Sequence, residues 1–158
     1  MTIKLKPFII SILIPLAVGG VSALLTRNNM DLYSTINTPP LAPPALLFPI
    51  VWTVLYILMG ISSALIYTDR RATESDKKSA LYTYALSLFF NFFWSIIFFN
   101  FRAFFFAFIW LLALIFLIIR TIMKYYKINK TAAYLQIPYL LWVTFAGYLN
   151  FAVYILNK

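Results

Sequence analysis

The sequence of 158 residues contains no cysteine and no histidine. Disulfide bonds, a cysteine nucleophile and a histidine general base are therefore excluded, and a zinc site or a haem iron would lack its commonest ligands. Acidic residues are also scarce. The four that occur, Asp31, Asp69, Glu74 and Asp76, all lie in polar gaps between apolar runs. Because ion-coupled pumps use an ionisable group at membrane depth, this distribution disfavours an ion-driven transporter.

Apolar residues, by contrast, are in large excess. Hydrophobic residues make up 63% of the chain and charged residues only 11%, whereas about a quarter of the residues of a soluble domain are charged. The length fits one domain. The composition therefore predicts a single integral membrane domain over residues 1–158.

Five apolar runs are each close to the roughly 20 residues that cross a bilayer core. The first is too long and too well continued to be a removable signal peptide, and none alternates as the strands of a membrane barrel do. The sequence predicts an all-α bundle of five transmembrane helices, at about residues 7–26, 46–68, 80–100, 104–123 and 132–156, with a proline-rich loop at about 27–45.

Lysine and arginine are unequally distributed between the two sides of such a bundle. The side with the N-terminus and the second and fourth loops carries ten of them: Lys4, Lys6, Arg70, Arg71, Lys77, Lys78, Arg120, Lys124, Lys127 and Lys130. The other side carries three: Arg27, Arg102 and Lys158. The positive-inside rule therefore predicts a cytoplasmic N-terminus, with the proline-rich loop and the C-terminus outside. The same rule explains the net charge of +9 without a nucleic-acid partner.

The proline-rich segment leads directly into the second apolar run. Proline lacks an N–H group and fixes φ, so residues 39–44 cannot continue a helix, whereas Pro49 fits a first helical turn. One interpretation is a stiff loop that closes one end of the bundle, with Phe48, Trp52 and Tyr56 facing inward beneath it. The alternative is that the prolines only separate two membrane helices.

The third and fifth runs each carry an informative face. Ser87, Asn91, Trp94, Ser95 and Phe98 recur at spacings of three and four, so they share one side of a helix. An amide in hydrocarbon needs a partner, so Asn91 is predicted to point into the bundle, where it would bond either a neighbouring helix or a ligand.

On the fifth run, one face is formed by Pro138, Trp142, Phe145, Ala146 and Leu149. The small Ala146 beside Trp142 would leave room for something flat against the indole. Ordinary packing is the alternative for both tryptophans, Trp94 and Trp142.

These segments together resemble the translocator protein/tryptophan-rich sensory protein family, also called peripheral-type benzodiazepine receptors. The second run matches at Pro43-Pro44, Phe48-Pro49, Val51-Trp52, Leu55-Tyr56 and Met59-Gly60. The third and fifth runs match at Asn91, Trp94-Ser95, Phe98-Phe99, Pro138-Tyr139-Leu140, Trp142, Phe145-Ala146 and Leu149-Asn150. The resemblance covers nearly the whole chain.

The resemblance implies a homodimer of five-helix bundles, each with a cavity beneath the first loop. It implies a receptor or sensor that binds porphyrins such as protoporphyrin IX, possible haem-type ligands, and isoquinoline or benzodiazepine compounds. The porphyrin is a ligand, so no cofactor and no metal are expected to be required. The implied binding residues are Phe48, Trp52, Tyr56, Asn91, Trp94, Trp142, Phe145, Ala146 and Leu149.

Other functions stay open at this point. Some bacterial family members promote light-dependent porphyrin breakdown, for which Trp142 would be the catalytic residue, and a passive porphyrin or haem transporter or a purely structural scaffold are further alternatives. The terminal pattern Leu149-x4-Tyr154-x3-Lys158 is a weak sterol signature, and no sterol ligand is expected. A bacterial plasma membrane is the expected location.

The chain departs from the family pattern mainly in the first loop. Leu32, Thr38, Leu41 and Leu46 replace residues that are commonly aromatic or basic there, and Ser87 replaces a glutamine of the third helix. These changes remove side chains through which the loop usually contacts a ligand, but leave Trp52, Trp94 and Trp142 in place.

Overall fold

The computed structural model describes residues 5–158, so Lys4 of the basic side lies outside the described residues. The described chain forms seven α-helices: α1 Leu5–Thr26, α2 Leu32–Thr35, α3 Leu47–Tyr67, α4 Glu74–Ser95, α5 Phe104–Ile128, α6 Lys130–Leu135 and α7 Ile137–Leu156. A π-helical turn, Ile96–Asn100, continues α4. Five segments are long and apolar enough to cross a membrane. The predicted all-α architecture with five spans is confirmed.

The third span begins six residues before its apolar run. Thr73 is the N-cap of α4, and its hydroxyl accepts a hydrogen bond from the Asp76 backbone N–H at 3.1 Å. Glu74 and Asp76 lie in the first turn, where the helix dipole favours negative charge. Hydropathy marks only the lipid-embedded part of a helix, so it misses this polar start.

The fifth span is broken into α6 and α7. Pro138 lies at the beginning of α7, and proline has no N–H group and crowds the carbonyl four residues earlier. The chain therefore interrupts the helix at Gln136. α6 has its own N-cap, since the Asn129 side chain accepts a hydrogen bond from the Ala132 N–H at 3.1 Å.

The spans form a ring that is closed at only one end. α1 packs between α3 and α4, α4 packs on α5, and α5 packs on α7. α6 packs closely against α3, whereas α7 has few backbone contacts with α3. The fifth span therefore leans away from α3 along its length, and leaves a gap between α3 and α7.

This gap faces the end of the bundle that carries the proline-rich loop, called here the loop end. The loop, the turn after α4 and the C-terminus meet there: Asn29 donates to Asn100 Oδ1 at 2.7 Å, and Asn157 donates to the Asn37 carbonyl at 2.9 Å.

The opposite end, called here the basic end, holds the loops near Asp69 and Asn129, whose side chains are 3.5 Å apart. At this end the Arg71 guanidinium bonds to Asp69 and lowers the pKa of that carboxyl.

Gly60 allows the close approach of α1 and α3. A Cβ atom at this position would overlap the Ile12 backbone and would lie 2.7 Å from the Ser11 carbonyl oxygen. Such overlap with backbone cannot be relieved by a side-chain rotation, because the whole of α1 would have to move. Gly20 differs, because a Cβ atom there would meet nothing within 4 Å.

We therefore expect Gly60→Ala to destabilise the bundle by about 1–3 kcal/mol, the usual cost of overpacking, and Gly20→Ala to leave it unchanged or slightly more stable. Thermal unfolding of both variants in the same detergent measures the difference. Equal unfolding temperatures for the two variants would contradict this account of the α1–α3 contact.

Candidate functional site

Aromatic side chains, and not close backbone packing, bridge the gap between α3 and α7. The Phe48 ring meets the edge of Trp142, with ring centroids 5.9 Å apart. Closer to the middle of the bundle, Trp52 meets the edge of Tyr139 at 6.3 Å. The gap is thus filled by rings that project from both helices.

The proline-rich loop lies over these rings and is held there by two tyrosines. Tyr33 donates a hydrogen bond to the Pro43 carbonyl at 2.6 Å, and Tyr148 of α7 donates to the Pro40 carbonyl at 2.9 Å. The Tyr33 ring also packs on Phe48. These contacts favour the interpretation in which the loop closes the end of the bundle.

Asn91 links two tyrosines at the floor of the gap. Tyr56 donates to Asn91 Oδ1 at 3.1 Å, and Asn91 Nδ2 donates to the Tyr139 hydroxyl at 3.0 Å. All three residues are buried. Trp52 stacks on Tyr56, with centroids 5.4 Å apart and planes 28° apart. In this structure Asn91 therefore positions Tyr139 and Tyr56, the ring on which Trp52 stacks, and both ends of its amide take part.

Trp94 and Trp110 have structural hydrogen bonds. The Trp94 indole donates to Asn150 Oδ1 at 2.9 Å, and Asn150 donates in turn to the Phe104 carbonyl at 2.8 Å. The Trp110 indole donates to the Phe90 carbonyl at 2.7 Å and stacks on the Phe90 ring. Both indoles thus join neighbouring helices.

Trp52 and Trp142 are different. Within residues 5–158, the indole N–H of neither residue has a hydrogen-bond acceptor. Both rings are half-buried, and both border the α3–α7 gap. The gap therefore presents two aromatic faces with two indole donors that are open to a ligand, whereas the N–H group of a fully buried tryptophan usually has a partner in the protein.

The structure brings together most, though not all, of the residues that the sequence singles out. Trp52, Tyr56, Trp142 and Ala146 pack around one cluster. Phe48 and Phe145 flank Trp142, the latter at 5.7 Å, and Asn91 is joined to the cluster by its hydrogen bonds. Trp94 also packs against this cluster, but its indole N–H is donated to Asn150. Leu149 is buried one helical turn beyond Phe145.

Sequence reasoning missed Tyr139 and Asn150 as parts of this arrangement. Both residues lie on the buried face of α7. This face is rotated from the one that the sequence predicts, since Pro138 of the predicted face is exposed. The signal for Asn150 was present, because it is an amide in an apolar run, as Asn91 is. The hydroxyl of Tyr139 gives no such signal, since a tyrosine can keep its hydroxyl at the edge of a core or deep inside it.

Removal of the Asn91 amide tests its positioning role. Asn91→Leu leaves two buried tyrosine hydroxyls without this partner, so we expect a loss of about 1–3 kcal/mol in the free energy of unfolding. The triple variant Asn91→Leu/Tyr56→Phe/Tyr139→Phe removes the stranded hydroxyls as well. We expect the triple variant to be more stable than Asn91→Leu alone, as measured by thermal unfolding in detergent. If the triple variant instead lost the sum of the three single-variant losses in stability, the hydrogen-bond network would be contradicted.

Comparison with known proteins agrees with this architecture. Residues 11–156 match the model of the TspO/MBR family. The chain is 36% identical over 148 residues to a tryptophan-rich protein TspO of Archaeoglobus fulgidus, covering 93% of this chain and 94% of the relative. It is 35% identical over 144 residues to the protein of the same name from Chlorobaculum tepidum, covering 90% of each. It is 31% identical over 143 residues to the translocator protein of Bos taurus, covering 90% and 85%. The five spans, the loop end and the match over nearly the whole chain lead to one conclusion: this integral membrane protein belongs to the TspO/MBR family.

Proposed function

We propose that the protein is a membrane receptor or sensor that binds a flat, hydrophobic tetrapyrrole, such as protoporphyrin IX or a haem-type ligand. The site is the α3–α7 gap beneath the proline-rich loop. The observation that carries the proposal is the pair of half-buried indoles, Trp52 and Trp142, whose N–H groups have no acceptor within the described residues. Isoquinoline and benzodiazepine compounds, which are smaller and also flat, would use the same gap.

The chemistry of the gap fits such a ligand. A porphyrin has an aromatic face, which stacks on indole and phenol rings, and propionate groups at its edge, which accept hydrogen bonds. The Phe48 and Trp142 rings meet edge to face, so a macrocycle enters when these two side chains rotate apart. The backbones of α3 and α7 need not separate, because few backbone contacts join them.

The family adds independent support. The three relatives described above, named translocator protein or tryptophan-rich protein TspO, are 31–36% identical to this chain, and the aromatic positions of the gap lie within the matched residues. Leu41, which replaces a loop tryptophan of the family, is 81% exposed. The proposed contacts therefore come from α3 and α7, and not from this part of the loop.

The test is a titration of the purified protein in detergent with protoporphyrin IX, followed by the shift of the porphyrin absorption band. Tryptophan quenching is less suitable, because energy transfer to a porphyrin reaches every tryptophan of so small a protein. We expect Trp52→Phe and Trp142→Phe each to weaken binding about tenfold, which corresponds to about 1.4 kcal/mol.

Trp110→Phe is the matched control, since Trp110 donates to a backbone carbonyl on α4 and takes no part in the gap. Its affinity should equal that of the unchanged protein. Equal affinities in all three variants would place the porphyrin elsewhere and would remove the basis of the proposal.

We further propose that the loop end faces outward from a bacterial plasma membrane, where an external ligand would arrive. The support is the concentration of lysine and arginine at the basic end, which the positive-inside rule places in the cytoplasm. Since the chain has no cysteine, single introduced cysteines report orientation cleanly. In intact bacterial cells, an impermeant maleimide should label Thr38→Cys and spare Lys78→Cys until the membrane is opened; the reverse pattern would invert the assignment.

A further inference from the structure

The basic end of the bundle, opposite the gap, contains two adjoining cavities of about 340 and 440 Å³. The first lies between the start of α4 and the end of α5, and includes Lys124. The second lies around the turn between α5 and α6, and includes Lys130. Arg71 and Lys127 line both. The two cavities thus form one depression with four basic side chains, called here the basic depression.

The positive charge in the basic depression is only partly neutralised. Lys124 Nζ donates to two neutral hydroxyls, Ser79 Oγ at 2.9 Å and Thr83 Oγ1 at 2.8 Å. An ammonium group has three donors, so one remains. Among residues 5–158 the ion pairs are Arg71 with Asp69 and Lys77 with Glu74. Neither pair neutralises a lysine of the depression.

Two further side chains, Asp76 and Arg71, determine the net charge of the depression and its free hydrogen-bond donors. Asp76 is the one acidic residue that lines it, against three lysines and Arg71. The side chain of Arg71 is 76% exposed, and its bonds to Asp69 use Nε and Nη2, so Nη1 stays available. The depression therefore suits an anion that has several acceptor oxygens.

The position of the basic depression favours one source for that anion. It lies where the apolar spans α4 and α5 end, which is the level of lipid headgroups. Met123 and Tyr126 of α5 are exposed beside it, and tyrosine is enriched at membrane interfaces. Ile128 adds an apolar wall to both cavities. A free phosphate ion would use the charges, but it would gain nothing from these apolar neighbours.

We propose that the basic depression binds the phosphate of an acidic phospholipid headgroup, with Lys124 and Lys127 as its main contacts. Basic pockets between transmembrane helices commonly hold such headgroups. The proposal is independent of porphyrin binding, because the two sites lie at opposite ends of the bundle.

The experiment is native mass spectrometry of the full-length protein, released from detergent with phosphatidylglycerol or with phosphatidylcholine of the same acyl chains. The test variant is Lys124→Gln/Lys127→Gln. The matched control is Arg70→Gln/Lys78→Gln, which removes the same charge at the same end from exposed residues that line neither cavity. Lys127→Gln alone serves as a milder variant, because Lys127 is exposed and its loss disturbs no packing.

We expect the unchanged protein and the control to retain phosphatidylglycerol in preference to phosphatidylcholine. The affinity for phosphatidylglycerol should fall about thirtyfold in the double test variant and less in Lys127→Gln. Equal retention by test and control variants would overturn the proposal. A parallel arm with inorganic phosphate identifies the source: if millimolar phosphate is retained and phosphatidylglycerol is not, the headgroup assignment is wrong.

Discussion

Hydrocarbon offers no hydrogen-bond partner, and this constraint organises the interior of the bundle. Polar side chains buried in the spans are stabilised by partners on another helix or on their own backbone, and among the described residues the Tyr84 hydroxyl and Gln136 Oε1 are the buried side-chain atoms without one. Asn91 therefore joins Tyr56 of α3 to Tyr139 of α7, and Asn150 joins Trp94 of α4 to the backbone of α5. Ser62 bonds to the Ala132 carbonyl and accepts from Gln136, which ties α3 to α6 where the ring is closed.

The same constraint helps to identify the candidate site. Most of the buried amides and hydroxyls of the bundle have hydrogen-bond partners, so a donor without a partner is informative. Of the four indoles, two donate to protein and two do not, and the latter two border the α3–α7 gap, which is bridged mainly by aromatic side chains. A flat ligand could be accommodated at such a place, because side chains can rotate without a movement of the two helix backbones.

The sequence was sufficient for the architecture because the signals there are strong and local. Long apolar runs define the five spans, and the spacing of Ser87, Asn91 and Phe98 places all three in the interior, where the structure has them buried. The limits of α4 escaped hydropathy because Thr73 caps the helix in the polar region, before the apolar run begins.

The site was harder to predict, because partner choice depends on distances that a sequence does not contain. The family resemblance selects both Trp94 and Trp142, and the structure distinguishes them: Asn150 accepts the Trp94 N–H, whereas the Trp142 N–H has no acceptor among the described residues. Similarly, the sequence predicts that Asn91 faces the interior but does not identify its partners, whereas the structure places its Oδ1 on Tyr56 and its Nδ2 on Tyr139.

The most direct measurement of the central claim uses the fact that the chain has only four tryptophans. Protein labelled with nitrogen-15 at tryptophan gives four indole N–H resonances, which single Trp→Phe variants assign. On addition of protoporphyrin IX, the account predicts that the ring current of the macrocycle shifts the resonances of Trp52 and Trp142 most, while those of Trp94 and Trp110 stay close to their original positions. Larger shifts at Trp94 or Trp110, or no shift at any indole, would contradict it.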